Sequence, residues 1–84
     1  MTLTFFQRLS TRAQLLVVLA EGTYLAQRWE DEGGVNLYHL ADTGRGFFVE
    51  VAIEPEQQRI VILRSFDSST PLADYAHYVQ LPED

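Results

Sequence analysis

Cysteine is absent from the 84 residues. Its absence excludes disulfides, thiolate zinc ligands and cysteine nucleophiles together. A secreted domain of this size ordinarily needs a covalent or metal staple, so the expectation is a reducing, cytoplasmic setting. Lysine is absent as well, and the cations are Arg8, Arg12, Arg28, Arg45, Arg59 and Arg64. Twelve carboxylates outweigh them, for a net charge of −6. Binding to phosphate backbones is driven by cationic side chains that release counterions, so nucleic acid is disfavoured as a partner. Anionic membrane surfaces are disfavoured for the same reason. The longest apolar run is Leu15 to Ala20, whereas a membrane span needs about 20 residues. That run is also short for a secretory signal, and Glu21 follows it directly, so no export signal is read.

What is present describes an ordinary globular chain. The sequence is 46% hydrophobic and 21% charged, which is not the composition of a disordered protein. Its length suits a single domain over residues 1–84, with a small core.

The hydrophobic spacing predicts helix, then strands, then helix. Phe6, Leu9, Ala13, Leu16 and Ala20 recur at helical spacing, and Phe5, Leu15, Val18 and Leu19 widen the stripe until it is apolar nearly all round. Thr4 with Gln7, and Thr11 with Gln14, both have capping-box form. Two readings stay open: one helix from about Phe5 to Glu21, or two helices broken at Ser10-Thr11. Gly22 stands where a helix ends. Strands are expected over Thr23–Glu30, Val35–Leu40, Phe47–Glu54 and Arg59–Phe66. Turns are expected at Asp31-Glu32-Gly33-Gly34, at Asp42 to Gly46, and from Pro55 through Gln58. Connections this short join antiparallel neighbours. Ser68-Ser69-Thr70-Pro71 reads as a cap for a last helix with Leu72, Tyr75, Ala76 and Val79 on its inward face, ended by Pro82. The expected fold is α+β: an N-terminal helical segment, a four-stranded antiparallel meander and a short C-terminal helix.

Alternation places Phe47, Val49, Val51 and Ile53 on one sheet face, for the N-terminal helical segment to cover. The other face carries Phe48 and Ala52, with Tyr38, Leu40, Val61 and Leu63 according to register, interrupted by Glu50 and Glu54. Two modest helices leave part of this apolar surface uncovered, which is the mark of an interaction site. The expected function is therefore a non-catalytic protein-interaction module. Its partner would be a second copy in a dimer, or another protein. Tyr38, Phe48 and Leu63 are the candidate contacts on the sheet, with Phe5 and Leu15 as the helix alternative.

Other chemistry has simpler explanations. His39 and His77 stand in no metal-ligand spacing. Asp74 and His77, three apart, supply two ligands where catalytic zinc wants three. Glu30-Asp31-Glu32 lacks the alternating oxygens of a calcium loop. Gly44-Arg45-Gly46 reads as a hairpin turn before it reads as an anion cradle. Ser65, Ser68, Ser69 and Thr70 suit capping and turns, with no nucleophile motif among them. No cofactor is expected. Arg59, Arg64, Tyr24, Trp29, Tyr38 and Phe48 would suit base stacking if they shared a face, but strand arginines also pair with Glu50 and Glu54 across the ladder. The alternative function is a small-ligand binder or minor enzyme with a pocket between the sheet and the C-terminal helix. Arg64, Tyr75, His77 and Tyr78 would be its polar groups.

The order of helix, meander and helix is similar to that of the ribosome-dependent RNase toxins of toxin–antitoxin pairs. Those toxins are strongly basic and this chain is acidic, so the activity is not carried over. Gly22-Thr23-Tyr24-Leu25, Val35-Asn36-Leu37-Tyr38, Phe47-Phe48-Val49-Glu50-Val51 and Arg64-Ser65-Phe66 together resemble small bacterial α+β proteins of unassigned function. These are packing residues, and the resemblance implies a fold without an activity.

Overall fold

A computed structural model describes residues 1–30, 33–42, 44–54 and 57–67. The expected C-terminal helix lies outside these residues, as do Tyr75, His77 and Tyr78.

The chain begins with two short helices, α1 (Leu3–Arg8) and α2 (Thr11–Glu21). The break falls at Leu9-Ser10 because Ser10 is the better cap. Its backbone is extended and its hydroxyl accepts from the Ala13 N–H at 3.2 Å, satisfying a donor that the first turn leaves free. The caps stand upstream of the expected ones. Thr2, not Thr4, starts α1 by accepting from the Phe5 N–H. Gln14 does not fold back on a cap; its amide donates to the Phe6 carbonyl at 2.9 Å and ties the two helices together. Gly22 ends α2 with φ −75° and ψ 148°, an extended conformation open to any residue. Glycine serves there for space, since a Cβ would stand 2.6 Å from the Val18 carbonyl oxygen.

Four strands follow: β1 (Thr23–Glu30), β2 (Gly33–Leu40), β3 (Phe47–Glu54) and β4 (Arg59–Phe66). They form one antiparallel sheet in the order β1-β2-β3-β4, the expected meander. β2 starts earlier than its hydrophobic pattern suggests. Gly33 and Gly34 are not turn residues but pair with Glu30 and Trp29. A side chain on Gly34 would meet the Gln27 amide at 2.8 Å, so glycine makes room for its cross-strand neighbours.

Two bulges reset the alternation. Tyr24 pairs with Tyr38 and Ala26 with Leu37, so Leu25 is the extra residue of β1. Glu50 pairs with Arg64 and Val51 with Ile62, so Leu63 is the extra residue of β4. A bulge moves every later side chain of its strand to the opposite face. One face consequently carries Tyr38 and Leu40 of β2, Phe47, Val49 and Val51 of β3, and Ile62 of β4. The other carries Ala26 and Arg28, Val35, Leu37 and His39, Phe48 and Glu50, and Arg64 and Phe66.

Both described helices pack on the first face. Phe6 and Val18 join Leu40, Phe47, Val49 and Val51 in the main core, with Leu3, Leu9, Leu15, Val17, Tyr38 and Ile62 packed around it. The Phe6 and Phe47 rings meet at 5.3 Å between centroids. On the second face Ala26 and Leu37 form a smaller cluster with Phe48 and Phe66.

Among the described residues two positions have positive φ, and they differ in what they tolerate. Gly46 has φ 79°, and a Cβ there would stand 2.4 Å from the Leu40 carbonyl oxygen. Gln58 adopts φ 52° in the β3–β4 turn with an L side chain, which costs about 1 kcal/mol or more. Gly46→Ala is expected to destabilise the fold by at least about 2 kcal/mol. Gln58→Gly is expected to stabilise it by about 0.5–1 kcal/mol. Urea unfolding of the two variants beside the parent checks both signs.

Candidate functional site

Among the described residues, a dense polar constellation lies on the second sheet face, around a carboxylate that no solvent reaches. Glu50 is 0% exposed in the middle of β3. Burying a charge this way costs several kcal/mol unless it is paired and hydrogen-bonded. Two arginines supply the partners. Arg64 stands directly opposite on β4, its Nε donating to Glu50 Oε1 and its Nη2 to Oε2 at 3.3 Å. Arg28 reaches across the whole of β2, donating to Oε2 from Nε at 3.4 Å and from Nη2 at 3.3 Å. The planar guanidinium fork presents two donors to one carboxylate, which an ammonium cannot do at a fixed distance.

An aromatic row flanks this cluster. The His39 and Phe48 rings meet edge to face at 5.3 Å, and Phe48 stacks on Phe66 at 5.5 Å. The Arg64 guanidinium lies 5.3 Å over the Phe66 ring, so one cation serves both the carboxylate and the π face. His39 Nε2 hydrogen-bonds the Arg45 carbonyl oxygen at 2.9 Å, which ties the row to the β2–β3 loop.

The residues considered for base stacking do not come together. Phe48, Arg59 and Arg64 are on the second face. Tyr24, Tyr38 and Trp29 are on the first, where Tyr24 and Tyr38 meet edge to face at 5.8 Å. The strand arginines find the expected partners, Arg64 on Glu50 and Arg59 on Glu54. Arg28 escapes a reading by alternation alone. Counted from Tyr24 it falls on the first face, and the bulge at Leu25 carries it to the second. A long cationic side chain two strands from a buried carboxylate leaves no local pattern in the sequence.

The β2–β3 loop holds a second arrangement. Asp42 Oδ1 accepts from the Gly44 N–H at 2.6 Å and the Gly46 N–H at 3.0 Å. These two bonds favour the ionised form and hold the Asp42 carboxyl below its ordinary value of 3.8. The glycine N–H groups are thus engaged by the chain's own carboxylate, and Gly44-Arg45-Gly46 is a turn rather than a cradle. An open cleft of about 570 Å³ lies between this loop, Thr2 to Thr4 and Asp67.

The five candidate contact residues separate. Tyr38 and Leu15 are half-buried against the main core, and Phe48 is half-buried in its aromatic row. Phe5 is 55% exposed and Leu63 is 46% exposed. The outward apolar surface of the helix layer includes two residues absent from the candidate set: Leu16 at 60% and Leu19 at 70% exposure. Their helical spacing marked them as apolar, and only the packing shows which side of α2 they occupy. Tyr24, Trp29 and Ile60 are exposed at the strands. Of the alternative pocket, Arg64 is the one described member, and it is bound to Glu50.

Among the described residues no three metal-ligating side chains converge. No described helix is long and apolar enough to cross a membrane. The described residues thus form an α+β fold in which two helices cover one face of a four-stranded antiparallel meander. No family model, curated protein or solved structure matches the chain.

Glu50→Gln keeps the shape and removes the charge, leaving two guanidinium groups facing a neutral amide. Chemical denaturation is expected to show a loss of about 3 kcal/mol or more. Arg59→Ala breaks the exposed pair with Glu54 and is expected to change stability by under about 1 kcal/mol.

Asp42 carries a pH dependence of definite sign. Because its folded value is lowered, its contribution is fully present above the unfolded value of 3.8 and disappears as pH falls through the folded value. The stability difference between the parent and Asp42→Asn is therefore expected to hold constant from neutral pH down to about pH 5 and to shrink below that. A difference that stays flat through the acid range would show that Asp42 is not protected by the fold.

Proposed function

We propose that this chain is a non-catalytic protein-interaction module that works as a homodimer in a reducing, cytoplasmic setting. The observation that carries this reading is the outer surface of the helix layer. Leu16 and Leu19 stand three apart on an eleven-residue helix and are 60% and 70% exposed, while the same helix turns Val18 fully into the core. Fully burying a leucine side chain is worth roughly 1.5–3 kcal/mol relative to leaving it exposed. A second copy offers the same pair of leucines, so association covers four partly exposed leucine side chains, each recovering the part of that term its exposure leaves. Phe5, 55% exposed on α1, adds apolar surface to the same layer.

Two features of the charge distribution support a protein partner over a polyanion. Arg28 and Arg64, which could meet a phosphate on the sheet, are both engaged with Glu50. The net charge of −6 repels nucleic acid at long range.

Sedimentation equilibrium over a micromolar to high-micromolar range is expected to give twice the chain mass with a reversible monomer–dimer fit. A monomer throughout that range would overturn the reading.

A further inference from the structure

The charges at the ends of α2 both oppose the helix's own dipole. Arg12 stands in the first turn, which holds no acid, and Glu21 closes the last turn, which holds no base. A helix favours the reverse, because its N-terminal N–H groups carry a partial positive charge and its C-terminal carbonyls a partial negative one. Neither residue is needed in the core, since both are exposed. The outward stripe of α2 runs Arg12, Leu16, Leu19, Ala20, all exposed, with Leu16 near its midpoint.

We infer that α2 is the dimer interface, packed antiparallel against α2 of a second copy about a two-fold axis at Leu16. This rests on the self-association reading above and adds its geometry. A closed dimer uses the same surface twice, so that surface has to complement itself. The antiparallel arrangement meets that condition in charge. At 1.5 Å rise per residue, Arg12 lies about 6 Å along the helix from Leu16. Each Arg12 then falls level with the partner's Ala20, in the last turn of the partner helix. There the carbonyls are negative, Glu21 adds to the field and no base competes. The misplaced charge of each helix becomes the correct charge for the other.

The apolar residues of the stripe close the same seam. The two Leu16 side chains meet at the axis. On one side of the seam Leu19 of each copy lies beside the aliphatic stem of the partner's Arg12, and on the other side Ala20 lies beside the partner's Ala13. A parallel pair fails on charge. It would stack Arg12 on Arg12 and align the two dipoles. In the antiparallel pair the two arginines are about 12 Å apart along the axis, beyond the screening length of about 10 Å at 0.1 M salt.

The chain's lack of cysteine makes the test clean, because a single introduced thiol has no native competitor. Leu16→Cys is expected to oxidise to a covalent dimer. Arg12→Cys alone is expected to remain uncrosslinked, and an equimolar mixture of Arg12→Cys and Ala20→Cys is expected to give the mixed disulfide. Leu16→Glu, at a position 60% exposed, is expected to keep the parent's far-ultraviolet dichroism and to weaken association at least tenfold in sedimentation. A dimer that withstands Leu16→Glu and yields no Leu16→Cys crosslink overturns this interface and leaves the homodimer reading standing. Self-crosslinking of Arg12→Cys overturns the antiparallel geometry. A parent chain that stays monomeric overturns both.

Discussion

The sheet is organised around one buried carboxylate shared by three strands. Glu50 on β3 is held by Arg64 from its neighbour β4 and by Arg28 from β1, which lies beyond β2. Such a cluster is a poor source of net stability, since desolvating the charges offsets most of their attraction. Its consequence is specificity. A one-residue slip of β4 would carry Arg64 to the opposite face and leave Glu50 buried with a missing partner. The bulge at Leu63 stands beside this pair, so the ion cluster and the bulge together set which residues of β4 face the helices and which face the aromatic row.

The helix layer follows a different constraint. Sequence hydrophobicity runs nearly all round α2, but a helix lying on a sheet can bury one side only. Ser10 divides the segment, and Gln14 links the second helix to the carbonyl of Phe6 in the first. This lets Phe6 and Val18 enter the same core from two short helices. The cost of the arrangement is that Leu16 and Leu19 turn outward. The surplus of apolar surface is therefore on the helices and at the strand margins, while Val35 and Leu37 on the second sheet face are 2% exposed. In the antiparallel pair proposed above, the charges along that outward stripe complement themselves.

Much of the fold was legible from residue order. The strands Thr23–Glu30, Phe47–Glu54 and Arg59–Phe66, and their meander, follow from alternation and short polar connections, because a strand's periodicity is local. The helix break was one of two open readings, since Ser10 and Thr11 both have capping chemistry. Gly33 and Gly34 misled the turn assignment: glycine pairs suit tight turns, yet here both pair within the ladder, Gly34 beneath Gln27 and Trp29. Of the contact candidates, Phe5 and Leu63 are exposed, whereas Tyr38 and Leu15 pack against the core.

By itself the sequence determined the order of helices and strands over the described residues, the absence of thiol chemistry, the acidic balance and the abundance of apolar side chains on the first helical segment. All of these are properties of composition and short-range spacing. Tertiary structure alone decided which face each residue occupies after Leu25 and Leu63, that Arg28 meets Glu50 across an intervening strand, and that Leu16 rather than Leu15 looks outward. Those outcomes depend on bulges and on the orientation of a helix over a sheet. A single extra residue or a fraction of a helical turn reverses them, and no local pattern records either.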